Sequence, residues 1–263
     1  MSRTAIRYDG VNVDRGVDSL EPMSTEQHFG SSTVATLERR GGLRSGRLAR
    51  PKVAVDTVLF AIEERRPRCY LVQLKRGKLA GRWAFPGGLV RVGEMLDEAA
   101  RRELYDATGL AQPYLEQLFT FGDPSRDPTS HVVSVAYVAL TDDPARVHSC
   151  SAKYAAGRWF ETLALPPLAY DHALMANYAM RRLKSKLEYT NIACNLLPST
   201  FTFAELEELY ATVLNRTLDR RNFRRRIMAM SLLRRMPLKR HGRHRPATLY
   251  SFAQRSLQVI EML

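Results

Sequence analysis

Cysteine is scarce in this 263-residue chain, and its three copies, Cys69, Cys150 and Cys194, are odd in number, far apart and without C-x-x-C spacing. That argues against a disulfide framework or a cysteine zinc site and fits reduced thiols in a cytosol. No apolar run approaches the ~20 residues that cross a bilayer. The N-terminus, with Arg3, Arg7, Asp9, Asp14 and Arg15 among few hydrophobics, lacks the form of a secretory signal. A cytoplasmic protein with no membrane partner is expected. Acidic residues thin out towards the end of the chain. Residues 1–171 carry 23 Lys/Arg against 21 Asp/Glu, whereas residues 172–263 carry 17 against 6. Most of the net charge of +13 therefore lies in the last third, which points to a polyanionic partner there.

The length favours two domains. Residues 1–50 show no sustained periodicity, end in a Gly/Ser/Arg-rich stretch and read as a flexible tail, with Met23 as an alternative start. From Pro51 the texture changes. Val53–Ile62 and Cys69–Leu74 read as a hairpin, and 115–121, 131–140 and 158–160 as further strands. The segment 95–107, closed by Gly109, reads as a helix. Asp171 caps a second helix running to about Lys186, and the domain boundary is placed there. Strands mixed with helices predict an α/β layered sandwich.

The run Gly88-Leu-Val-Arg-Val-Gly-Glu94, continuing to Arg102-Glu103-Leu104-Tyr105-Asp106-Ala107-Thr108-Gly109-Leu110, resembles the Nudix box, G-x5-E-x7-R-E-U-x-E-E-x-G-U with U aliphatic. Gly88, Glu94, Arg102, Glu103, Leu104, Gly109 and Leu110 match. Asp106 and Ala107 replace the two consecutive acids. On a helix Glu103 and Asp106 share a face that position 107 completes. In the family that face holds Mg²⁺ or Mn²⁺ against a diphosphate. Hard cations need several oxygen ligands, and Ala107 supplies none. The resemblance therefore implies a metabolite pocket with a degenerate catalytic set, in which Glu103 and Asp106 are the only residues to hold a metal. Glu94 and Glu98 are expected to pair with Arg102. Gly87 and Gly88 are expected to let backbone approach a ligand phosphate. The segment from Gly81 to Val90 resembles Nudix domains that accept ADP-ribose, which makes Arg82, Trp83, Gly87, Gly88, Glu94, Arg102 and Glu103 the expected ligand-binding residues. Asp171 and His172 read as a helix cap and a first-turn histidine rather than a metal pair.

In the basic third, Thr202 and Glu205 form a capping box ahead of a helix with Phe203, Leu206, Leu209, Tyr210 and Val213 at helical spacing. Asp219 caps a second helix from Arg220 to about Leu233, with Phe223, Ile227 and Met230 on its core face. Arg220, Arg221, Asn222, Arg224, Arg225 and Arg226 lie on its other faces. Helix, short turn and basic helix is the arrangement of a helix-turn-helix, whose second helix enters the major groove. Two short strands around a basic turn would form a wing, with Lys239, Arg243 and Arg245 against DNA.

Both halves together resemble the Nudix-related transcriptional regulators of NAD metabolism (NrtR-like). This rests on Lys186-Leu-Glu-Tyr-Thr-Asn-Ile-Ala193, Leu218-Asp-Arg-Arg-Asn-Phe-Arg-Arg-Arg-Ile227 and Arg245-Pro-Ala-Thr-Leu-Tyr-Ser-Phe252. The resemblance implies a Nudix-like sensing domain at 51–170, a linker helix at 171–188 and a winged helix-turn-helix at 189–263. It also implies a homodimeric repressor of NAD-biosynthesis genes on a palindromic double-stranded operator, with ADP-ribose or a related metabolite as effector. No further cofactor is required on this reading. The alternative is a working ADP-ribose pyrophosphatase with an appended nucleic-acid-binding module.

Overall fold

The computed structural model describes residues 50–148, 151–241 and 246–260. The predicted tail before residue 50, Cys150, and the wing residues Arg243 and Arg245 lie outside the described residues.

The β-branched run after Pro51 forms β1 (Lys52–Glu63), which turns through Glu64 and Arg65 into β2 (Arg66–Leu74). The turn takes both residues into the left-handed region, at φ 49° and 66°. Short strands β3 (Trp83–Ala84) and β4 (Gly87–Leu89) lead to α1 (Leu96–Thr108), followed by β5 (Tyr114–Phe121), β6 (Val132–Leu140) and β7 (Tyr154–Glu161). These make a mixed seven-stranded sheet. Its path is β3-β2-β1-β6-β5, β4 pairs with β1, β7 pairs with β2, and β1 runs parallel to β6. Alternation along β1 sets the two faces. Val55 and Leu59 pack towards α1 with Ala99, Ala100, Leu104 and Ala107. Val58 and Phe60 pack towards α2 (His172–Tyr189) with Met175, Ala179, Leu183 and Leu187. This is the predicted layered sandwich.

The α2 helix runs one turn beyond the expected Lys186. Asp171 occupies its N-cap position, but its side chain makes no capping hydrogen bond, because Arg126 takes the carboxylate. Glu116 on β5 receives Arg182 at 2.8 Å and Lys186 at 2.7 Å, which pins the middle of α2 to the sheet.

The basic third builds β8 (Phe201–Thr202), α3 (Phe203–Leu214), α4 (Arg220–Ala229), β9 (Leu233–Arg240) and β10 (Ala247–Phe252), with sheet order β8-β10-β9. The Thr202/Glu205 capping box forms as read: Thr202 accepts from the Glu205 amide, and Glu205 accepts from the Thr202 amide. The α4 helix stops at Ala229, about a turn short of the expected end, because Ser231 enters the left-handed region (φ 54°) and Leu233 onward pairs with β10. Pro237, which has no amide to donate, sits where the β9–β10 register shifts. The hydrophobic core does not stop between the two halves. It continues from α2 through Ile192, Ala193, Leu196 and Leu197 to Phe203, Tyr210, Phe223 and Ile227. No helix among the described residues is long and apolar enough to cross a membrane.

Candidate functional site

The box forms a loop and helix whose ends are held by their own residues. Glu98 accepts a hydrogen bond from the Met95 amide at the start of α1, and Gly109 closes the helix at φ 73°. Glu98 is therefore not the partner of Arg102 that the i,i+4 spacing predicts. Arg102 instead forks onto Glu94, at 2.6 and 2.8 Å, and donates to Glu103 at 2.6 Å. The Arg102 hydrogen bonds hold the Glu94 carboxyl down at about 2, while Glu94 pushes Arg102 above its ordinary value.

Glu103 is buried and is held by a second cation that sequence reading missed. Lys153, just ahead of β7, donates to Glu103 Oε2 at 2.7 Å and to the Gly87 carbonyl. Burial pulls the Lys153 ammonium down, but Tyr154 and Glu103 outweigh it and hold it above the ordinary lysine value. The Tyr154 hydroxyl donates to the same carbonyl at 3.1 Å. Nothing around Lys153 in the sequence marks it, since its partners come from β4 and α1.

The two glycines make room for neighbouring protein groups. A Cβ at Gly88 would overlap the Glu103 carboxylate, and one at Gly87 would overlap Asp56 and the Val55 carbonyl. Gly88→Ala is expected to destabilise the fold by about 1–3 kcal/mol through this overpacking. Thermal unfolding checks it, and an unchanged midpoint would contradict the account.

A second buried cluster ties the box to α2. Asp56 accepts from Ser134 and lies 3.4 Å from Arg126, which also donates to Asp171 at 3.0 and 2.8 Å. His172 accepts from the Phe85 amide through Nδ1 at 2.9 Å, and its Nε2 lies 3.6 Å from Asp56. This agrees with the reading of Asp171 and His172 as structural. Burial pushes the Asp56 carboxyl up, but His172, Ser134 and Arg126 together hold it below its ordinary value. Such a group stabilises the fold above its unfolded pKa and loses that contribution as pH falls through the lower folded value. Stability is therefore expected to fall on acidification below about pH 4, with a shallower fall in Asp56→Asn. Thermal melts across that range check it, and identical slopes would count against Asp56. A lone acid in the apolar run of β1 was the available sequence signal.

Not every expected ligand residue joins this group. Gly87, Gly88, Glu94, Arg102 and Glu103 come together, and Arg82 is exposed at its edge of the sheet. Trp83 does not join them. Strand alternation turns it to the α2 face, where it meets Phe160 edge-on at 4.8 Å. Nor do the residues fit a divalent cation. Glu103 already serves two cations, Asp106 is exposed, Ala107 is fully buried without an oxygen to offer, and the described residues contain no cluster of three or more metal-ligating side chains.

On α4, Phe223 and Ile227 are buried while Arg220, Arg221, Asn222, Arg225 and Arg226 are exposed. Arg224 has a second engagement. It is exposed like its neighbours, but its guanidinium lies 4.5 Å from the Phe203 ring centre and donates to Tyr250 at 3.0 Å, so it also braces the domain surface. Asn222 is engaged on both sides, donating to Asp219 at 2.9 Å and accepting from Arg225 at 3.0 Å. Arg220 reaches Glu207 at 2.8 Å. Among the described residues Arg221, Arg226 and Lys239 have no ion pair. Arg234 and Arg235 on β9 are exposed as well; the sequence reading assigned them neither to the helix, which it ended at about Leu233, nor to the wing.

The family model described as the NUDIX domain matches residues 50–181, and the one described as the NrtR DNA-binding winged helix domain matches residues 193–252. The "ADPR responsive transcriptional repressor NtrR" of Acinetobacter baylyi is 31% identical over 206 residues, covering 77% of this chain and 82% of that protein. The chain belongs to the NrtR family. A crystal structure of Shewanella oneidensis NrtR complexed with a 27mer DNA shares its fold at a TM-score of 0.69, with 32% identity over 76% of this chain and 93% of that one. The Nudix half has a relative of another name: the "ADP-ribose pyrophosphatase" of Methanocaldococcus jannaschii is 31% identical over 154 residues, 58% of this chain and 88% of that protein. The NrtR family is thus reached from both halves, and the pyrophosphatase likeness from one.

Proposed function

We propose that this NrtR-family chain is an ADP-ribose-responsive transcriptional repressor of NAD-biosynthesis genes, active as a cytoplasmic homodimer on a palindromic operator. The observation that carries this reading is the single buried core running from the sheet beside the box, through α2, into the winged helix. A ligand shifts DNA affinity only by favouring one arrangement of the protein over another, and continuous packing lets both sites bias the same arrangement. The effector's diphosphate would meet Arg82, the backbone of β4 at Gly87 and Gly88 and the Glu94–Arg102–Glu103 group. Arg221, Arg225 and Arg226 would enter the major groove, with Arg220 and Asn222 exchanging their present partners for DNA. Lys239 would contact phosphate beside the wing. Dimerisation follows because one winged helix reads a half-site.

Repression without cleavage is the favoured reading of the box, because Ala107 removes a metal-binding carboxylate and Glu103 is neutralised by Arg102 and Lys153. Fluorescence anisotropy with promoter duplexes from NAD-biosynthesis genes tests the assignment. Preferential binding over random duplex, with steep salt dependence, is expected, together with a response to ADP-ribose that NAD and nicotinamide mononucleotide do not match. Equal affinity for random duplex at moderate salt would contradict it.

A further inference from the structure

The position of Lys153 explains the misfit to a divalent cation. Its ammonium touches the Glu103 carboxylate and the Gly87 carbonyl. One carboxylate and one backbone carbonyl are oxygen donors of the kind that Mg²⁺ draws on. The lysine is set there by its neighbour Tyr154, a buried side chain whose hydroxyl is bonded to Gly87 and whose ring centre lies 5.3 Å from Nζ. Ala107 is packed in the same apolar cluster as Tyr154, so the place of the missing acid is closed by hydrocarbon. A lysine that merely neutralised Glu103 would need no contact with the box backbone, yet this one bridges β4 and α1. Its side chain stays 44% exposed, so a ligand can reach it.

We propose that the Lys153 ammonium replaces the divalent cation as a built-in counter-ion, so that the box binds a diphosphate-bearing nucleotide without metal. This rests on the reading of the box as the effector site. It supplies both properties a sensor needs. A fixed positive charge meets the diphosphate, and no metal is present to acidify an attacking water. Lys153 is a binding residue on this account, and Tyr154 positions it.

Full-length wild type, Lys153→Met and Lys153→Arg are compared in two titrations after thermal melts confirm folding, with Lys153→Gln replacing a methionine variant that does not fold. The first needs no effector and follows free Mn²⁺ by electron paramagnetic resonance. Wild type and Lys153→Arg are expected to leave the ion free. Lys153→Met, which bares Glu103 and the Gly87 carbonyl, is expected to hold it at least about tenfold more tightly. The second is calorimetry with ADP-ribose. Wild type is expected to bind equally in EDTA and in excess Mg²⁺. Lys153→Met is expected to lose about tenfold in EDTA, the worth of one charge-assisted hydrogen bond, and to recover when Mg²⁺ is added. Mn²⁺ retention by wild type equal to that of Lys153→Met overturns the proposal, as does loss of wild-type ADP-ribose binding in EDTA. If wild type binds no ADP-ribose in either buffer, the effector reading falls instead, and the Mn²⁺ titration still decides the role of the lysine.

Discussion

Replacing Arg221, Arg225 and Arg226 together by alanine is expected to weaken operator binding by at least about a hundredfold, since each lost base or phosphate contact costs about 1–3 kcal/mol. The three side chains lie on the exposed part of α4, and the helix is seated by Phe223 and Ile227 on its other face. Their removal takes nothing from the core, so the unfolding midpoint and the ADP-ribose affinity are expected to stay at wild-type values. The salt dependence of the residual binding should flatten, because fewer counterions are released per complex. Arg224 is the internal control. Its guanidinium rests on Phe203 and Tyr250, so Arg224→Ala is expected to lower stability as well as DNA affinity. Electrophoretic mobility shifts across a salt series, beside thermal melts, separate the two effects. A triple variant that still binds operator like wild type would remove α4 from the interface.

The second large effect concerns the core. Phe223 is 3% exposed and its ring meets Tyr210 at 5.1 Å and Phe203 at 5.9 Å. Truncation to alanine leaves a ring-sized cavity among side chains held from several directions, and a cost of about 3–5 kcal/mol is expected. Because the same buried cluster extends through Leu183 and Leu187 of α2 to Phe60 of the sheet, the loss should lower the midpoint of one cooperative transition. Urea unfolding followed by tryptophan fluorescence reads this well. Trp83 and Trp159 both lie in the sandwich, so a winged-helix mutation seen by them reports coupling across the chain. An unshifted tryptophan transition, with loss of helix signal at lower urea, would show two independently unfolding parts.

Much of this architecture was legible in local pattern. The apolar runs of β1 and β2, the capping box at Thr202 and the terminator Gly109 are encoded within a few residues, and they fold where they read. The end of α4 was not, because helical spacing continues past Ala229 while the chain is drawn into pairing with β10, a contact between segments far apart in sequence. The site divided the same way. The Glu94–Arg102 pair follows from box spacing, but Lys153, Arg126 and Ser134 reach it from separate strands and loops. Trp83 was misplaced for a related reason: its neighbours in sequence point to the cleft, while strand alternation points its side chain away. Arg224 looked like its neighbours on α4 until packing showed an aromatic seat beneath it.

We propose that the box holds its ligand without cleaving it and that holding it changes the grip on DNA. The most direct measurement titrates ADP-ribose into the complex of full-length protein and operator duplex in Mg²⁺ buffer, follows anisotropy, and then resolves the nucleotide by ion-exchange chromatography. DNA is expected to be released as ADP-ribose binds, and the nucleotide to be recovered intact. Conversion of ADP-ribose to AMP and ribose phosphate on the timescale of the titration, or saturation of the protein with no change in anisotropy, would contradict the proposal.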